Sequence, residues 1–316
     1  MNHKIRQLLL GHPEVAGWPQ MVRLIDRALR QEIRPIWDYP VVACEAAGGT
    51  ADAALPAAAA IFCSVGSIHL VDDLLDDDPD GDYRDLGAGP TANLALALQG
   101  LAHRLLETAA VTPETRTLLQ ESLAHMMLAT AFGQNLDVQG SRDEEGYWRV
   151  VQAKSPPLFG TALALGGLVG GAPPMTVEQL ESLGRCLGLF TQVSDDLVDA
   201  LEAPASADWQ RRFNNLPILY ALTAQHPERE AFESLSSRVS DPAALAAAQR
   251  ILVGCGAVSY CAFRLVEIAK QARQAFARIA LRDPAPLARL VDLHLTPLER
   301  LLASTGVEVP PEAFLD

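Results

Sequence analysis

Two stretches of this chain, Asp72-Asp73-Leu74-Leu75-Asp76 and Asp195-Asp196-Leu197-Val198-Asp199, carry the same five-residue pattern, DDxxD. Both stretches are apolar and helix-like. The first and last aspartate of each lie roughly 40° apart around an α-helix, so each motif presents carboxylates on one face. A row of carboxylates on an apolar helix is costly unless a cation neutralises it. Two such rows facing each other would form a cage for hard divalent cations, of which Mg²⁺ is favoured because it takes oxygen ligands and also binds substrate phosphate. The predicted metal ligands are Asp72, Asp73, Asp76, Asp195, Asp196 and Asp199.

The composition predicts a helical protein and excludes some partners. The 316 residues are 49% hydrophobic and only 6% aromatic, and alanine and leucine dominate, which favours helix over strand. The net charge of −14 argues against nucleic acid as a partner. The sequence shows no secretory leader pattern and no clean run of about 18 apolar residues, and its cysteines lack metal-site spacing. We therefore expect a cytoplasmic protein with reduced cysteines and no transmembrane segment.

Helical patterns follow one another along nearly the whole chain, separated by short breaks rich in glycine and proline. The predicted segments are roughly 53–78, 91–110, 113–139, 143–170, 175–201, 215–225 and 256–281. Pro156-Pro157 should kink its segment, because proline removes a helical hydrogen bond. No linker is long or polar enough to separate domains. The prediction is an all-α fold, a single domain over residues 1–316 built as a bundle of ten or more helices.

Further elements, taken together with both DDxxD motifs, resemble the trans-isoprenyl diphosphate synthases, the polyprenyl synthetase family. They are Ile33-Arg34-Pro35, Ala43 to Gly49, Gly133-Gln134 with Asp137, Lys154-Ser155, Gln192 three residues before Asp195, and Leu216-Pro217 with Tyr220-Ala221-Leu222. Each element alone is weak, and their common order and spacing make the resemblance specific. The resemblance implies the type I isoprenoid synthase helical bundle, with a central active-site cavity.

The family's chemistry follows from the same resemblance. It implies three Mg²⁺ ions between the aspartate motifs, which bind the diphosphate of an allylic prenyl diphosphate and stabilise the leaving group as the C–O bond ionises. Lys154 would hold the diphosphate as a point charge. The other substrate-binding candidates are Gln192, Arg34, Arg84 and Gln134, with Ser67 and Ile68 helping to floor the hydrocarbon pocket. The family is commonly dimeric, so a homodimer is expected.

The chain departs from the family at the site for the second substrate, isopentenyl diphosphate. Gln31 stands where the family has a lysine, and only Arg34 remains of that basic block. In addition, Val65 replaces a histidine, a single displaced Arg84 replaces an arginine pair, Thr191 replaces an aromatic residue, and Phe213 with Asn214-Asn215 replaces a Gly-Lys element. Losing several charge-assisted hydrogen bonds, at ~1.5–3 kcal/mol each, should abolish ordinary affinity. Other basic residues could compensate in space, namely Arg27, Arg30, His69 or Arg84, so the use of isopentenyl diphosphate is in doubt.

These uneven losses favour single-substrate chemistry over condensation. In that hypothesis the allylic cation cyclises, loses a proton or captures water, as in a terpene synthase. The alternative is a head-to-tail prenyltransferase that elongates the allylic diphosphate with isopentenyl diphosphate, to a product of roughly C15 to C25. Remote alternatives are a non-catalytic regulatory homologue and a calcium-binding protein. The pattern Asp76-x-Asp78-x-Asp80-Gly81 starts like an EF-hand loop, but Gly87 stands where the last ligand is needed.

Plainer interpretations of single residues also stay open. Lys154 fits an ordinary surface lysine, and Arg34 fits an ion pair with a nearby glutamate. Gln134 and Asp137 fit a structural polar pair between helices equally well. His69, the one histidine close to a motif, fits core packing better than a role in the site.

Overall fold

The computed structural model describes residues 1–30, 35–78, 81–210 and 212–304, and the regular structure in these ranges is helical. The α-helices, numbered α1 to α16 in chain order, are Asn2–Leu10, Pro13–Ala16, Pro19–Ala28, Tyr39–Ala47, Leu55–Asp76, Tyr83–Leu86, Ala88–Glu107, Pro113–Gln139, Glu144–Lys154, Pro156–Val169, Pro174–Leu201, Leu216–Thr223, Arg229–Ser236, Pro242–Gly254, Ala257–Ala277 and Ala285–Ser304. Short 3₁₀ turns occupy Ile36–Asp38, Ala207–Trp209 and Arg212–Asn214. The all-α prediction is confirmed.

Local signals in the sequence place most long helices correctly. Helix α8 covers the predicted segment 113–139, and its first turn is capped by Thr112, whose Oγ1 accepts the Thr115 backbone N–H at 3.3 Å. The predicted segment 143–170 is instead two helices, α9 and α10, separated by Ser155. The break lies at Pro156-Pro157 because a proline without an N–H is favoured in the first turn of a new helix.

One compact unit comprises Met1–Leu128, Leu158–Gly184 and Arg278–Leu290. Helix α5 is buried from Ala57 to Val65 and packs along α7. Helices α4 and α10 approach closely, because a Cβ on Gly166 would lie 2.2 Å from the Pro40 carbonyl oxygen. This unit carries the first DDxxD motif, at the end of α5.

The other compact unit comprises Ala129–Pro157, Arg185–Ala277 and Val291–Asp316, of which the structure describes the part up to residue 304. Its core includes Trp209, Ile218, Phe232 and Leu252, and the Trp209 and Phe232 rings lie 6.0 Å apart. Helix α12 packs against α9 and α15. This unit carries the second DDxxD motif, at the end of α11. The expectation of a single domain over 1–316 stays a prediction.

Helix α5 is long and apolar enough, by length and composition alone, to cross a membrane. The bent pair α14 and α15 passes the same criterion when its two helices are counted together. In α5, 56% of the most apolar window is buried within the structure, as in a core helix. The expectation that the chain has no transmembrane segment stays a prediction.

Candidate active site

The first DDxxD motif occupies the last turn of α5, where the helix emerges from its buried part. Asp72, Asp73 and Asp76 are each half-buried. Desolvation, reinforced by the charge on Asp78, raises the pKa of Asp73 above its ordinary value. Gly81 packs directly on this residue, because a Cβ there would lie 2.9 Å from the Asp73 Cβ. The end of α5 therefore concentrates negative charge in a partly desolvated place, which a bound cation would relieve.

Arg84 binds the residue that directly follows this motif. Its guanidinium donates to the Asp77 carboxylate and to the Asp77 carbonyl oxygen, both at 2.9 Å, and lies 4.7 Å from the centre of the Tyr83 ring. The Tyr83 hydroxyl donates to the same Asp77 carboxylate at 2.6 Å. Asp77 itself has a φ of 52°, which ends the helix. Arg84 thus fixes Asp77 at the end of α5, and its expected role in substrate binding stays a prediction.

Other candidates in this unit lie as follows. Ser67 is completely buried, and its hydroxyl has no hydrogen-bond partner among the residues that the structure describes. Ile68 beside it is half-buried, while His69 is exposed, so the core-packing interpretation of His69 is wrong. Arg34, and Asp80 of the EF-hand-like pattern, lie outside the described residues.

The second DDxxD motif lies in the last two turns of α11, and its three aspartates differ in how far they are buried. Asp196 is 1% exposed, whereas Asp195 is exposed and Asp199 is half-buried. Successive helical residues point about 100° apart, so adjacent aspartates cannot share one environment. Desolvation first, and then the charge on Asp208, raises the pKa of Asp199 to about 7 and that of Asp195 to about 6.

Three protein donors surround the Asp196 carboxylate. The buried Tyr147 hydroxyl donates to Oδ2 at 2.6 Å, the Leu216 backbone N–H donates to Oδ2 at 2.9 Å, and the Gln192 amide donates to Oδ1 at 3.2 Å. Desolvation nevertheless raises the pKa of Asp196 to about 7, against the opposing effect of these hydrogen bonds. The Asp196 carboxylate accepts these protein donors and so connects α9, α11 and α12 to one another. Its expected role as a metal ligand stays a prediction.

Lys154 lies at the end of α9 and forms an ion pair with Asp137 of α8, with Nζ 2.9 Å from Oδ2. Both side chains are shielded, with 22% of the lysine and 8% of the aspartate side chain exposed. Ser155, the next residue, donates to the Gln192 amide oxygen at 2.8 Å, which connects this place to Asp196. The interpretation of Lys154 as an ordinary surface lysine is therefore wrong.

Gln134 is the candidate whose environment most directly indicates a ligand in this unit. It is 5% exposed, and neither its amide oxygen nor its amide nitrogen has a hydrogen-bond partner among the described residues. A buried unsatisfied amide costs about 1–3 kcal/mol per polar atom. A bound polar group would remove this cost, which supports the substrate-binding role expected of Gln134.

Gly133 allows the close approach of helices α8 and α9 beside Lys154. A Cβ at this position would lie 2.5 Å from both the carbonyl carbon and the carbonyl oxygen of Ala153 and 2.7 Å from the Lys154 nitrogen. Gly133→Ala is expected to push the end of α9 away and to lower kcat/KM by roughly 10²-fold, because small displacements of a binding group are costly. Gly100→Ala is the matched control, because a Cβ at this helical glycine meets no atom within 4 Å. Equal kinetic constants for these two variants would contradict this role of Gly133.

Sequence reasoning missed several residues that build this site. Tyr147 donates to Asp196, Asn214 donates to Asp137, and Asn215 donates to Asp208. Tyr147 precedes Lys154 by seven residues on the same helix, so its position on the lysine's face was available as a signal. From the sequence alone, Asn214 and Asn215 indicate only that the lysine of the family's Gly-Lys element is missing.

Comparisons with known proteins support one family. A polyprenyl synthetase family model matches residues 39–252. The chain is 30% identical over 210 residues to the nonaprenyl diphosphate synthase of Mycobacterium tuberculosis, covering 62% of this chain and 60% of that protein. It is 29% identical over 284 residues to the short chain isoprenyl diphosphate synthase of Methanothermobacter thermautotrophicus, covering 79% and 84%. For the nonaprenyl diphosphate synthase and two geranylgeranyl pyrophosphate synthases of Arabidopsis thaliana, the chain spans about half to three fifths of the relative's length.

Solved structures show the same fold at low identity. The geranylgeranyl pyrophosphate synthetase of Pyrococcus horikoshii superposes with a TM-score of 0.79 at 19% identity, over 93% of this chain and 94% of that chain. The geranylgeranyl pyrophosphate synthase of Corynebacterium glutamicum, complexed with calcium and isoprenyl diphosphate, gives 0.76 at 19% identity, again over 93% and 94%. These matches confirm the expected all-α isoprenoid synthase fold.

Proposed function

The chain belongs to the polyprenyl synthetase family, and from this premise we propose that it elongates an allylic prenyl diphosphate with isopentenyl diphosphate. The observation that carries the proposal is the family-model match over residues 39–252, which spans both DDxxD motifs and Lys154. In the proposed reaction the allylic C–O bond breaks, and the double bond of isopentenyl diphosphate captures the cation. Inorganic diphosphate and a proton leave, and a longer prenyl diphosphate remains.

The sequence departures favoured a single-substrate reaction, and the comparisons do not support that hypothesis. The curated relatives are named for prenyl diphosphate products, including nonaprenyl, geranylgeranyl and short chain isoprenyl diphosphate. A terpene-synthase-like reaction would give up the only diphosphate and leave a hydrocarbon or an alcohol. The relatives therefore support elongation, the alternative, better than cyclisation, elimination or water capture.

Product analysis tests this proposal. The protein is incubated with Mg²⁺ and geranyl, farnesyl or geranylgeranyl diphosphate, each alone and then with labelled isopentenyl diphosphate, and the products are identified by mass spectrometry. Longer prenyl diphosphates that carry the label support the proposal. Hydrocarbons or alcohols formed from the allylic substrate alone would overturn it.

The aspartate motifs fit magnesium as the ion that the reaction needs. The candidate ligands are all carboxylate oxygens, and the raised pKa values of Asp73, Asp195 and Asp199 reflect a partly desolvated negative charge that a cation would stabilise. Mg²⁺ bound there would neutralise charge on the leaving diphosphate. We propose Asp72, Asp73, Asp76, Asp195 and Asp199 as ligands, with Asp196 holding the end of α11. The number of ions stays a prediction.

We propose that four further residues bind the allylic substrate. Lys154, fixed by Asp137, presents a positive charge to the allylic diphosphate. The amide of Gln134 offers both a donor and an acceptor to the substrate. Ser67 and Ile68 border the buried part of α5, whose apolar side chains would exclude water from the cation.

A cleft lined by both arginines and aspartates is our candidate for the second diphosphate. Arg23 and Arg27 of α3 and Arg30 just beyond it border a cavity of about 510 Å³, together with three aspartates, Asp26, Asp82 and Asp85, so binding a diphosphate there requires the arginines to exchange carboxylate partners for it. Arg27 forms an ion pair with Asp82, and this pair, followed by the charges on Asp73 and others, raises the pKa of Arg27. Arg27 therefore lies within electrostatic reach of the first motif. We propose that the arginines compensate for the missing family residues, with Arg27 exchanging Asp82 for the diphosphate of isopentenyl diphosphate.

Arg27→Ala is expected to raise the KM for isopentenyl diphosphate by roughly ten-fold or more, since it removes a charge-assisted contact. The KM for the allylic substrate should change little. Asp82→Ala is the matched control, because it breaks the same ion pair but keeps the guanidinium. Steady-state kinetics with each substrate varied in turn measures both constants. A similar rise in both KM values, or the same rise in Asp82→Ala, would refute this role of Arg27.

Several finer statements accompany the proposal. Roughly C15 to C25 stays our prediction for the product, because no aromatic side chain stands four or five positions before the first motif. A homodimer, a cytoplasmic location and a central cavity also stay predictions.

A further inference from the structure

The turn before α12 contains two asparagines whose side chains contact different charged elements. Asn214 ends the 3₁₀ turn Arg212–Asn214, and Asn215 is the N-cap residue of α12. This is the segment where the resemblance leads one to expect a Gly-Lys element. A neutral amide cannot replace the charge of that lysine, but it can donate and accept hydrogen bonds at once.

Among the residues that the structure describes, the Asn214 side chain bonds to the end of α8 and the residues after it. Its amide nitrogen donates to the Asp137 carboxylate at 2.8 Å and to the Asp137 carbonyl oxygen at 2.7 Å, and its amide oxygen accepts the Ser141 backbone N–H at 2.9 Å. The other carboxylate oxygen of Asp137 is the one that pairs with Lys154. Asn214 therefore fixes the orientation of the carboxylate that holds the lysine.

Asn215 binds the second aspartate motif. Its amide nitrogen donates to the Asp196 carbonyl oxygen at 2.7 Å and to the Asp208 carboxylate at 2.9 Å. Its amide oxygen accepts the Ile218 backbone N–H at 3.3 Å, which caps α12. Capping explains only this last contact, since an N-cap serine would supply it without the two amide donors.

We propose that Asn214 and Asn215 are positioning residues, which hold the Lys154 ammonium in register with the second DDxxD motif. The inference rests on the proposed function, in which Lys154 binds the substrate diphosphate. A lysine side chain has a flexible four-carbon stem. Holding the ammonium in one place before the substrate binds reduces the side-chain conformational entropy that is lost on binding. Asn214 holds Asp137, the partner of Lys154, and Asn215 holds the backbone carbonyl of Asp196. The turn that carries both asparagines therefore fixes the distance between Lys154 and the second DDxxD motif.

The first test is the chemical reactivity of Lys154 in the metal-free protein. The chain has three lysines, Lys4, Lys154 and Lys270, so acetylation by an N-hydroxysuccinimide ester can be followed at each by mass spectrometry. In Asn214→Ala, acetylation of Lys154 relative to Lys270 is expected to rise several-fold. The Asp137 carboxylate, no longer oriented by Asn214, then holds the Lys154 ammonium less firmly. Asn214→Ser, a milder change, should give a smaller rise. Unchanged reactivity of Lys154 in both variants overturns the proposal.

The second test uses calorimetric titration with inorganic diphosphate and Mg²⁺ in a double-mutant cycle. Asn214→Ala and Asn215→Ser are each expected to weaken binding by roughly ten-fold in the native background and hardly at all in a Lys154→Ala background. A merely structural role gives the same weakening in both backgrounds and overturns the proposal. Weaker binding in Lys154→Ala with unchanged binding in both asparagine variants also overturns it but leaves the proposed function standing. Unchanged binding in Lys154→Ala overturns the diphosphate role of Lys154 itself.

Discussion

Replacing Asp195 by alanine is expected to lower kcat/KM for the allylic substrate by about 10³-fold while leaving the melting temperature nearly unchanged. Asp195 is an exposed member of the second DDxxD motif and a proposed Mg²⁺ ligand. Losing one ligand to the ions that stabilise the leaving diphosphate should cost about 4 kcal/mol of transition-state stabilisation. Desolvation and the like charge of Asp208 both raise the pKa of Asp195, so the folded state does not favour its ionised carboxylate, and removing that carboxylate should not destabilise the fold.

The matched control for this variant is Glu121→Ala, which removes an exposed carboxylate of α8 outside both DDxxD motifs. Steady-state kinetics and thermal unfolding are measured on both variants. The control should keep kcat/KM within about two-fold, as a surface substitution outside a site does. An Asp195→Ala variant as active as this control would contradict the assignment of Asp195 as a metal ligand.

Replacing Asp196 by alanine is expected to lower the free energy of unfolding by roughly 3–5 kcal/mol, unlike the neighbouring substitution. The change leaves the Tyr147 hydroxyl, the Leu216 N–H and the Gln192 amide without their acceptor, and buried donors of this kind cost about 1–3 kcal/mol each. Activity should also fall, because α9, which carries Lys154, loses its anchor to α11. Urea unfolding followed by circular dichroism measures the effect.

Two milder variants separate the contributions to this anchor. Tyr147→Phe removes one donor, while Gln192 and Leu216 still donate to the Asp196 carboxylate. This variant should lower the free energy of unfolding by about 1–2 kcal/mol. Asp196→Asn keeps an acceptor oxygen and should lie between Tyr147→Phe and the alanine variant. If Asp196→Ala lost activity at unchanged stability, Asp196 would be a metal ligand and the anchoring role would be wrong.

Much of the fold could be predicted from the sequence because its signals are local. The helix over residues 113–139 was marked by Thr112-Pro113, and the two prolines at 156 and 157 marked the break between α9 and α10. Short helices such as α2, α6 and α13 were not predicted, because a helix of four to eight residues shows too few turns for periodicity to be read.

The site was predictable in its chemistry but not in the roles of its members. The DDxxD pattern does not distinguish Asp195 from Asp196. The difference between them comes from burial and from contacts such as the one with Tyr147, 49 residues away in sequence. The asparagines at 214 and 215 were counted as a loss because their partners, Asp137 and Asp196, are 77 and 19 residues distant in sequence. Such roles depend on tertiary contacts that no local pattern contains.

The choice between the two reactions shows a further limit of reasoning from single positions. The missing basic residues indicated that isopentenyl diphosphate is not used, whereas Arg23, Arg27 and Arg30 border a cleft that could bind a second diphosphate. Charge can be supplied from another helix when the geometry allows it. Counting losses at family positions therefore leaves out charged residues that other helices supply.

The release of inorganic diphosphate from farnesyl diphosphate, with and without isopentenyl diphosphate, tests the central claim most directly. Elongation predicts that release depends on the second substrate and that one diphosphate is freed for each labelled isopentenyl unit found in the product. Release at the same rate without isopentenyl diphosphate, with no label in a longer chain, would contradict the account and show that the enzyme ionises a single substrate.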